Sequence, residues 1–275
     1  MSDDSSGALH LEGVPETMLW ILWHRAAEQR RRRPLIDDPM AADLVKRIDY
    51  DFRGKFGWPN ALPVIRARLS DDLIRRYRRE TPGAAVVVCL GEGLETQSWR
   101  INDQAIRWIS VDLPEASAVR ERLLPSHPNT TLIAGSALDA HWMDAVPEGA
   151  SPFISAAGLL MYFREDEVRG LLSMIARRFR NAWLYFDTVP PVLQRLVPDG
   201  FYVTPRYKTP PMPWGIARRD TANFLHSIGQ LELVQQWHYA EPYPKRTALL
   251  YQLAKAPLVS SYFAPGLVLA KSAAA

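Results

Sequence analysis

The stretch that decides the fold is Val86–Thr96, which reads VVVCLGEGLET. Its apolar, β-branched first half is typical of a strand buried on both faces. The strand stops at Gly91 and Gly93, where the backbone can turn tightly and a ligand can approach without meeting a Cβ atom. A second apolar run, Ile109–Asp112, ends in an acid roughly 20 residues past the turn, where a ribose-binding carboxylate is expected. The pattern predicts a nucleoside cofactor across the carboxyl ends of a parallel sheet.

The acids in this turn indicate which cofactor it binds. A dinucleotide site usually has a third glycine and a helix N-terminus that faces a pyrophosphate. This chain has Thr96 at the third glycine position and carries Glu92 and Glu95 in the turn. Two carboxylates would repel phosphate, but they tolerate a sulfonium and an ammonium group. The sequence therefore favours S-adenosylmethionine (SAM) over NAD; the alternative is a strand-turn-helix without a ligand.

The bulk composition fits one α/β domain. The chain has 275 residues, 47% of them hydrophobic, and a net charge of +3, which suffices for a sizeable core. The basic clusters Arg30–Arg33 and Arg75–Arg79 indicate solvated helix faces, because no nucleic-acid module accompanies them. The N-terminus does not resemble a signal peptide, no apolar run could span a membrane, and Cys89 is the lone cysteine. We expect a cytoplasmic monomer or homodimer that binds a small-molecule substrate, without a metal, a nucleic acid or a membrane.

Strands and helices alternate regularly from residue 81 to residue 189. The predicted strands are Val86–Leu90, Ile106–Val111, Thr131–Ala134, Phe153–Ala157 and Ala182–Asp187. This alternation predicts an α/β fold with a doubly wound, Rossmann-like sheet. The segment 81–189 is therefore predicted to be the SAM-binding core.

The remaining segments are predicted to serve this core within a single domain. Residues 1–80 would form a helical N-terminal cover. Residues 190–217 would form a proline-rich insertion after the fifth strand, too long for a plain connection and suited to substrate binding. The segment 218–255 is predicted to close the fold with one helix and two strands: Arg219–Ile228, Leu231–Tyr239 and Thr247–Leu253. The sequence predicts no structure for the tail, residues 256–275.

Several ordered blocks of the sequence resemble the leucine carboxyl methyltransferase family. The blocks are Asp38-Pro39 with Ala41, Ile65–Arg68 with Asp71-Asp72, Leu90–Thr96, Val111–Glu115, Ser136–Asp139 with Trp142, and Gly158–Phe163. The set is most similar to the bacterial tetracenomycin-type branch, which O-methylates polyketides and other natural products. The resemblance implies a class I SAM-dependent methyltransferase fold, SAM as the cofactor and a natural-product acceptor.

The resemblance assigns the ribose and the adenine of SAM to two loops. Asp112, next to Leu113, would accept hydrogen bonds from both ribose hydroxyls, because a carboxylate can take two donors. Asp139 would accept from the adenine amino group, with the backbone of Leu138 nearby. The alternative for Asp139 is a helix cap before Trp142.

The resemblance also assigns the methionine end of SAM. Gly91 and Gly93 would let the backbone approach it. Arg66 or Arg68 would pair with the SAM carboxylate, because a guanidinium matches the geometry of a carboxylate. The two arginines are two positions apart and point to different helix faces, so at least one of them is expected to be solvated. Arg25 is a further candidate for this carboxylate; its alternative is a surface position on an arginine-rich helix.

One residue departs from the family pattern. The family usually has a glutamate before the Gly-Leu-Leu-Met-Tyr block, close to the SAM amine, and this chain has Ala157 there. An ammonium without that carboxylate loses a charge-assisted hydrogen bond of about 1.5–3 kcal/mol, which Glu92, Ser155 or a backbone carbonyl would have to replace. In the family the residue at Tyr162 lies near the methyl-transfer site; the alternative is a plain core tyrosine.

The acceptor pocket is expected between the N-terminal cover and the insertion. The insertion supplies Tyr202, Tyr207 and Trp214, whose rings suit a flat apolar substrate, and Arg206, which can hold a carboxylate. A carboxylate acceptor is ionised at pH 7 and needs no general base, whereas a phenol or an alcohol does. The sequence shows no obvious base, which favours a carboxylic acid over a phenol or hydroxyl acceptor.

Other classes of function remain open at this point. The departure at Ala157 leaves an alternative function: the protein would bind SAM or S-adenosylhomocysteine (SAH) without methyl transfer, and would act as a pathway partner or in another reaction. A dinucleotide oxidoreductase fits less well, and so does methylation of protein termini, the activity of the family's eukaryotic members.

Overall fold

The computed structural model describes residues 11–81, 83–254, 256 and 259–274. The strands of this part of the chain are β1 (Ala85–Leu90), β2 (Ile106–Asp112), β3 (Thr130–Ala134), β4 (Phe153–Ala156), β5 (Trp183–Thr188), β6 (Tyr202–Thr204), β7 (Tyr207–Lys208), β8 (Leu231–His238) and β9 (Gly266–Ser272). Seven of them form one sheet in the order β3-β2-β1-β4-β5-β9-β8, while β6 and β7 form a separate hairpin. Strands β1 to β5 are parallel, and β9 is antiparallel to both of its neighbours.

The helices surround this sheet. They are α1 (Thr17–Glu28), α2 (Pro39–Arg47), α3 (Phe52–Phe56), α4 (Leu62–Glu80), α5 (Gln97–Ile101), α6 (Pro114–Leu123), α7 (Glu165–Arg178), α8 (Pro191–Leu196), α9 (Thr221–Ile228) and α10 (Ala248–Ala254). Short 3-10 turns follow β3 and β4 at Ala140–Ala145 and Leu160–Tyr162. Within the described residues, no helix is long and apolar enough to cross a bilayer.

The sheet is covered on both faces, and the alternation along β1 shows how. Val86 and Val88 belong to the apolar layer that includes α7, whereas Val87 and Cys89 belong to the layer that includes α4. The strand is buried along its whole length, as its continuous apolar run predicts. The α/β class and the doubly wound, Rossmann-like sheet are confirmed.

The closing edge of the sheet differs from the prediction. Thr247–Leu253, predicted as a strand, lies mostly in the helix α10, and its alanine, leucine and glutamine residues are good helix formers. The strand that completes the sheet is β9, in the tail for which the sequence predicts no structure. It lies between β5 and β8, where Leu267–Ala270 are fully buried. Periodicity alone does not separate a short buried strand from a buried helix.

The N-terminal cover packs as a helical cluster beside the core, and its first ten residues lie outside the described part of the chain. Leu19 and Leu22 of α1 belong to one apolar cluster with Leu44 of α2 and Phe56 of α3. Tyr207 of the β6–β7 hairpin joins the same cluster. The insertion therefore contacts the cover, and its β6–β7 hairpin lies next to α1.

Candidate functional site

A cavity of about 230 Å³ opens at the carboxyl ends of β1, β2 and β4. It lies between the helix α1 and the turn that follows β1. Among its lining residues are Thr17, Met18, Ile21, Arg25, Arg66, Gly91–Glu95, Asp112, Leu113, Gly135–Ala137, Ser155, Ala157–Leu159 and Tyr162. Doubly wound sheets bind their ligands at this position, outside the carboxyl ends of the strands.

Two glycines shape the turn after β1. Gly91 and Gly93 both have a positive φ, +64° and +54°, which other residues rarely adopt. A Cβ atom on Gly93 would lie 2.8 Å from the Cβ of Met18. Asp112 Oδ2 accepts a hydrogen bond from the Gly93 amide at 2.6 Å, and Oδ1 accepts one from the Leu113 amide at 2.9 Å. The carboxylate is thereby fixed at the edge of the cavity, and burial raises the pKa of Asp112.

The two acids of the turn are each paired with arginine. Glu92 Oε2 lies 3.2 Å from Arg120 Nη2, and both side chains are buried; burial raises the pKa of Glu92. Burial alone would also raise the pKa of Glu95, but the charges of Arg100 and Arg25 lower it to about 2. Both acids thus have counter-ions inside the protein. Glu92 lines the cavity, yet its charge is compensated by Arg120 rather than left for the ammonium of a ligand.

A buried cluster, here called the arginine network, joins this turn to the cover; it consists of Arg25, Asp38, Asp71, Glu95 and Arg100. Arg25 Nη1 lies 2.6 Å from Asp38 Oδ2 and 2.7 Å from Glu95 Oε1. Arg100 Nη2 lies 2.9 Å from Asp71 Oδ1, and Arg100 Nη1 contacts both Asp38 and Glu95. The Arg25 side chain is only 1% exposed, so the surface alternative for Arg25 is wrong. Its guanidinium is occupied by carboxylates of the protein.

Arg66 and Arg68 point to different places, as their spacing on α4 predicts. Arg66 lines the cavity, and its Nη1 donates to Asp187 Oδ2 at 2.9 Å. Arg68 is 39% exposed, pairs with Asp72 at 3.0 Å and donates to the Leu35 carbonyl. The prediction of a cofactor contact is therefore corrected for Arg68, which the structure places outside the cavity.

Asp187, at the end of β5, is a site residue that the sequence analysis missed. Its Oδ1 accepts from the Gly158 amide at 2.5 Å, and its Oδ2 accepts from Arg66 and from the Tyr239 hydroxyl. The parallel register of β4 and β5 places it beside Ala157. An acid that ends a fully buried apolar strand is a signal that could have found it, because such a charge needs specific partners. Asp187 fixes both Arg66 and the loop at Gly158.

Tyr162 and the loop after β3 complete the cavity. Tyr162 lies beside Thr17, and burial raises the pKa of Tyr162 to about 12. Ser136 lines the cavity, but Leu138 and Asp139 are not part of its lining. Asp139 is exposed, and its side chain makes no capping hydrogen bond to the turn that follows. The alternative cap is therefore not formed, because the loop turns Asp139 towards solvent, and the adenine contact of Asp139 stays a prediction.

Comparison with known proteins agrees with this geometry. The model of the leucine carboxyl methyltransferase family matches residues 18–176. The chain belongs to this family. It is a SAM-dependent O-methyltransferase and SAM is its cofactor, which confirms the prediction from the sequence.

This family member is similar in sequence to two curated relatives and in fold to one solved structure. It is 33% identical over 186 residues to the tetracenomycin polyketide synthesis O-methyltransferase TcmP of Streptomyces glaucescens, covering 66% of this chain and 68% of TcmP. It is 27% identical over 193 residues to a SAM-dependent methyltransferase of Gibberella zeae, covering 64% and 65% of the two chains. A crystal structure from Thermobifida fusca superposes with a TM-score of 0.58 at 15% identity, covering 99% of this chain and 97% of that one. The last likeness shows the shared fold.

None of the four insertion residues predicted to bind the acceptor is among the lining residues of the cavity of this methyltransferase. Tyr202 is 69% exposed on β6, and Arg206 is exposed and pairs with Asp51 at 2.6 Å. Trp214 is buried in the apolar layer that includes α7, because a large ring gains more from burial than from a solvent-facing loop. Tyr207 is buried in the apolar cluster of the cover, where its ring lies beside that of Trp20 on α1.

His24 is a second residue that the sequence analysis missed. It is buried on α1, its Nδ1 accepts a hydrogen bond from the Asn60 amide at 3.2 Å, and its ring lies 5.8 Å from that of Trp20. Burial, and then the charge of Arg66, lower the pKa of His24 to about 4. The imidazole is therefore neutral at pH 7. Its place on the apolar face of α1, three residues after Ile21, was the available signal.

Acidification is expected to destabilise the wild-type protein by about 2 kcal/mol more than the His24→Asn variant between pH 7 and pH 5. The unfolded chain protonates this histidine near its ordinary pKa of 6.5, but the pKa of folded His24 is about 4. Stability from this group is therefore complete above pH 6.5 and is lost as the pH falls towards 4. Urea unfolding of both proteins at both pH values measures the difference. Parallel pH profiles would show that His24 is not neutral in the fold.

Proposed function

We propose that the acceptor is a carboxylic acid of a small natural product, which the protein converts to its methyl ester. The proposal rests on the hydrogen-bond partners and the protonation of the titratable groups around the cavity. Glu92 is paired with Arg120, Asp112 holds two amides, and Tyr162 keeps its proton because burial raises its pKa to about 12. None of these groups is free to deprotonate a phenol or an alcohol, whereas a carboxylate is ionised at pH 7. The relationship to TcmP, an O-methyltransferase of polyketide synthesis, supports a natural-product acceptor.

We further infer how the cavity would hold SAM. Asp112 would accept from the ribose hydroxyls with the lone pairs that the two amides leave. Gly91 and Gly93 would allow the methionine part to approach the turn, and Arg66 would pair with the SAM carboxylate. Ser136, in the loop after β3, would lie on the adenine side of the cavity.

The SAM ammonium needs an acceptor in place of the family glutamate. Glu92 is compensated by Arg120, which leaves two of the candidates considered above. Ser155 lines the cavity and is 6% exposed. We infer that the ammonium donates to the Ser155 hydroxyl and to backbone carbonyls near Ala157. Asp187 acts indirectly, because it orients Arg66 and the Gly158 amide.

The reaction requires little acid-base chemistry from the chain. Bound SAM would supply an electrophilic methyl group on a sulfonium sulfur. Transfer of this group to a carboxylate oxygen of the acceptor would leave the electron pair of the carbon–sulfur bond on sulfur and would move no proton. The residues of the cavity have to hold the two reactants within about 3–3.5 Å and in line. They also have to exclude water, and α1 contributes Met18 and Ile21 to that wall.

A matched pair of acceptors tests this proposal. With methyl-labelled SAM, we expect label transfer to 2-naphthoate at a rate that is nearly constant between pH 6.5 and 8.5, because the acid is ionised throughout. We expect 2-naphthol to be a poor acceptor. Methylation of 2-naphthol alone, at a rate that rises with pH, would contradict the proposal and assign a phenol acceptor.

The Arg66→Gln variant is expected to bind SAM about 10-fold more weakly, because it loses a charge-assisted contact of about 1.5 kcal/mol to the SAM carboxylate. Binding of adenosine, which has no carboxylate, should be unchanged. Calorimetric titration with both ligands makes the measurement. Arg68→Gln is the matched control from the same helix, and it should bind both ligands like the wild type. Equal losses for SAM and adenosine in Arg66→Gln would indicate a folding defect instead.

A further inference from the structure

Three polar side-chain atoms next to the cavity lack a hydrogen-bond partner within the described part of the chain. The rings of Trp20 and His24 are 5.8 Å apart, and the rings of Trp20 and Tyr207 are 5.9 Å apart. Trp20 Nε1, His24 Nε2 and the Tyr207 hydroxyl are all buried, and none has a partner among the described residues. Buried polar atoms in folded proteins nearly always have a partner. Three such atoms in one cluster therefore point to a ligand that supplies the missing partner.

All three atoms can act as donors. An indole nitrogen can only donate. His24 Nδ1 accepts the hydrogen bond of the Asn60 amide, so the proton of this neutral ring is on Nε2, which donates. A tyrosine hydroxyl that keeps its proton also donates, and burial raises the pKa of Tyr207 far above its usual range. A cluster of donors without an acceptor matches a group that carries only acceptors, such as an ionised oxygen.

The electrostatic surroundings also favour an anion. The positive charge of Arg66 acts on His24 and disfavours a second cation there. Glu16 is an acid whose charge acts on Tyr207, and it is already engaged by the Tyr50 hydroxyl at 2.5 Å and by Lys55 at 3.1 Å. The carboxylate of Glu16 is thus compensated within the cover.

The cluster adjoins the cofactor cavity, although Trp20, His24 and Tyr207 are not among its lining residues. Trp20 and His24 are on α1, and the residues Thr17 and Ile21 of the same helix line the cavity. Tyr207 lies near Tyr162, which lines the cavity. The β6–β7 hairpin brings Tyr207 to this place from the insertion.

We propose that Trp20, His24 and Tyr207 bind the ionised oxygen of the methyl acceptor beside the SAM site. This inference rests on the proposed function, and it adds the residues that select the acceptor. One carboxylate oxygen would receive the three donors, which leaves the second oxygen for attack on the methyl group. A neutral amide offers the three donors only an uncharged carbonyl oxygen, which accepts hydrogen bonds more weakly than an ionised oxygen, so the cluster should discriminate against it.

The test measures binding of 2-naphthoate and 2-naphthamide to the protein saturated with SAH, by calorimetry. We expect the wild type to bind the acid at least 10-fold more tightly than the amide. Tyr207→Phe and Trp20→Phe should each weaken binding of the acid about 5- to 20-fold and leave SAH affinity unchanged. The melting temperature of Tyr207→Phe should be equal to or above that of the wild type, because the variant removes an unpartnered buried hydroxyl.

Trp108→Phe is the matched control, because Trp108 Nε1 is also buried and has no partner in the described part of the chain, but lies in the layer with α4. It should leave the affinity for 2-naphthoate unchanged. Wild-type affinity for the acid in both Tyr207→Phe and Trp20→Phe would overturn the proposal, and so would equal binding of acid and amide by the wild type. Methylation of 2-naphthoate by those variants with an unchanged KM would overturn it while leaving the proposed function standing. Failure of the wild type to methylate 2-naphthoate while it binds SAH would overturn the proposed function itself.

Discussion

The Arg100→Met variant is expected to lose about 3–5 kcal/mol of its free energy of unfolding. Arg100 is 4% exposed and contacts Asp38, Asp71 and Glu95 at once. Its removal leaves the buried carboxylates of Asp38 and Asp71 and the partly buried carboxylate of Glu95 with Arg25 as the remaining cation of the arginine network. Unpaired buried charge is among the few causes of a loss this large. The midpoint of thermal unfolding should fall by roughly 10 °C, and urea unfolding should give the free energy.

Arg76→Met is the matched control for this experiment. Arg76 is also on a helix and also pairs with an acid, Glu80, at 2.8 Å, but both side chains are at least 40% exposed. An exposed pair at this spacing contributes about 0.3–0.5 kcal/mol. A loss of stability in Arg100→Met no larger than that in Arg76→Met would show that the network does not hold the cover to the cofactor turn.

The Asp112→Ala variant is expected to bind SAH about 30- to 150-fold more weakly, which corresponds to about 2–3 kcal/mol. The ribose hydroxyls lose a charged acceptor in a mostly buried position. The variant also frees the Gly93 and Leu113 amides that Asp112 holds at 2.6 and 2.9 Å. Asp112→Asn keeps one accepting oxygen and should lose less than Asp112→Ala. Calorimetric titration with SAH ranks the three proteins.

Asp139→Ala is the matched control for the ribose site. Sequence resemblance places Asp139 at the adenine, whereas the structure places it in solvent outside the cavity. We expect SAH to bind Asp139→Ala like the wild type. Wild-type affinity in a folded Asp112→Ala protein would remove Asp112 from the site, and a loss in Asp139→Ala would mean that the loop after β3 closes over the ligand.

The parallel strands of the sheet can be predicted from the sequence for a simple physical reason. Strands β1 and β5 are buried on both faces, so each appears as an unbroken apolar run, and no other feature of the chain is required to find them. The glycine turn and Asp112 follow from the same runs, because they stand at the ends of neighbouring strands. The family blocks then supply the class of reaction.

The rest depends on contacts between distant segments, which spacing does not encode. Arg25 meets Glu95 across 70 positions, and Arg66 meets Asp187 across 121. A sequence rich in arginine offers many possible partners for the SAM carboxylate. Only the packing of the fold determines which guanidinium groups are already paired with carboxylates of the protein. The same holds for Tyr207, which stands with three other candidates in the insertion and differs from them in lying against α1.

The position of β9 has a consequence for the order in which the sheet can assemble. In the chain β9 comes after β8, but in the sheet it separates β8 from β5. During synthesis, β8 therefore emerges before its hydrogen-bonding neighbour exists, and it has no strand to join until residues 266–272 arrive. Strands that wait in this way are prone to pair with other chains. We expect the glutamate and glutamine residues along β8, Glu232, Gln235 and Gln236, to disfavour such association during that interval, because they make the strand more polar.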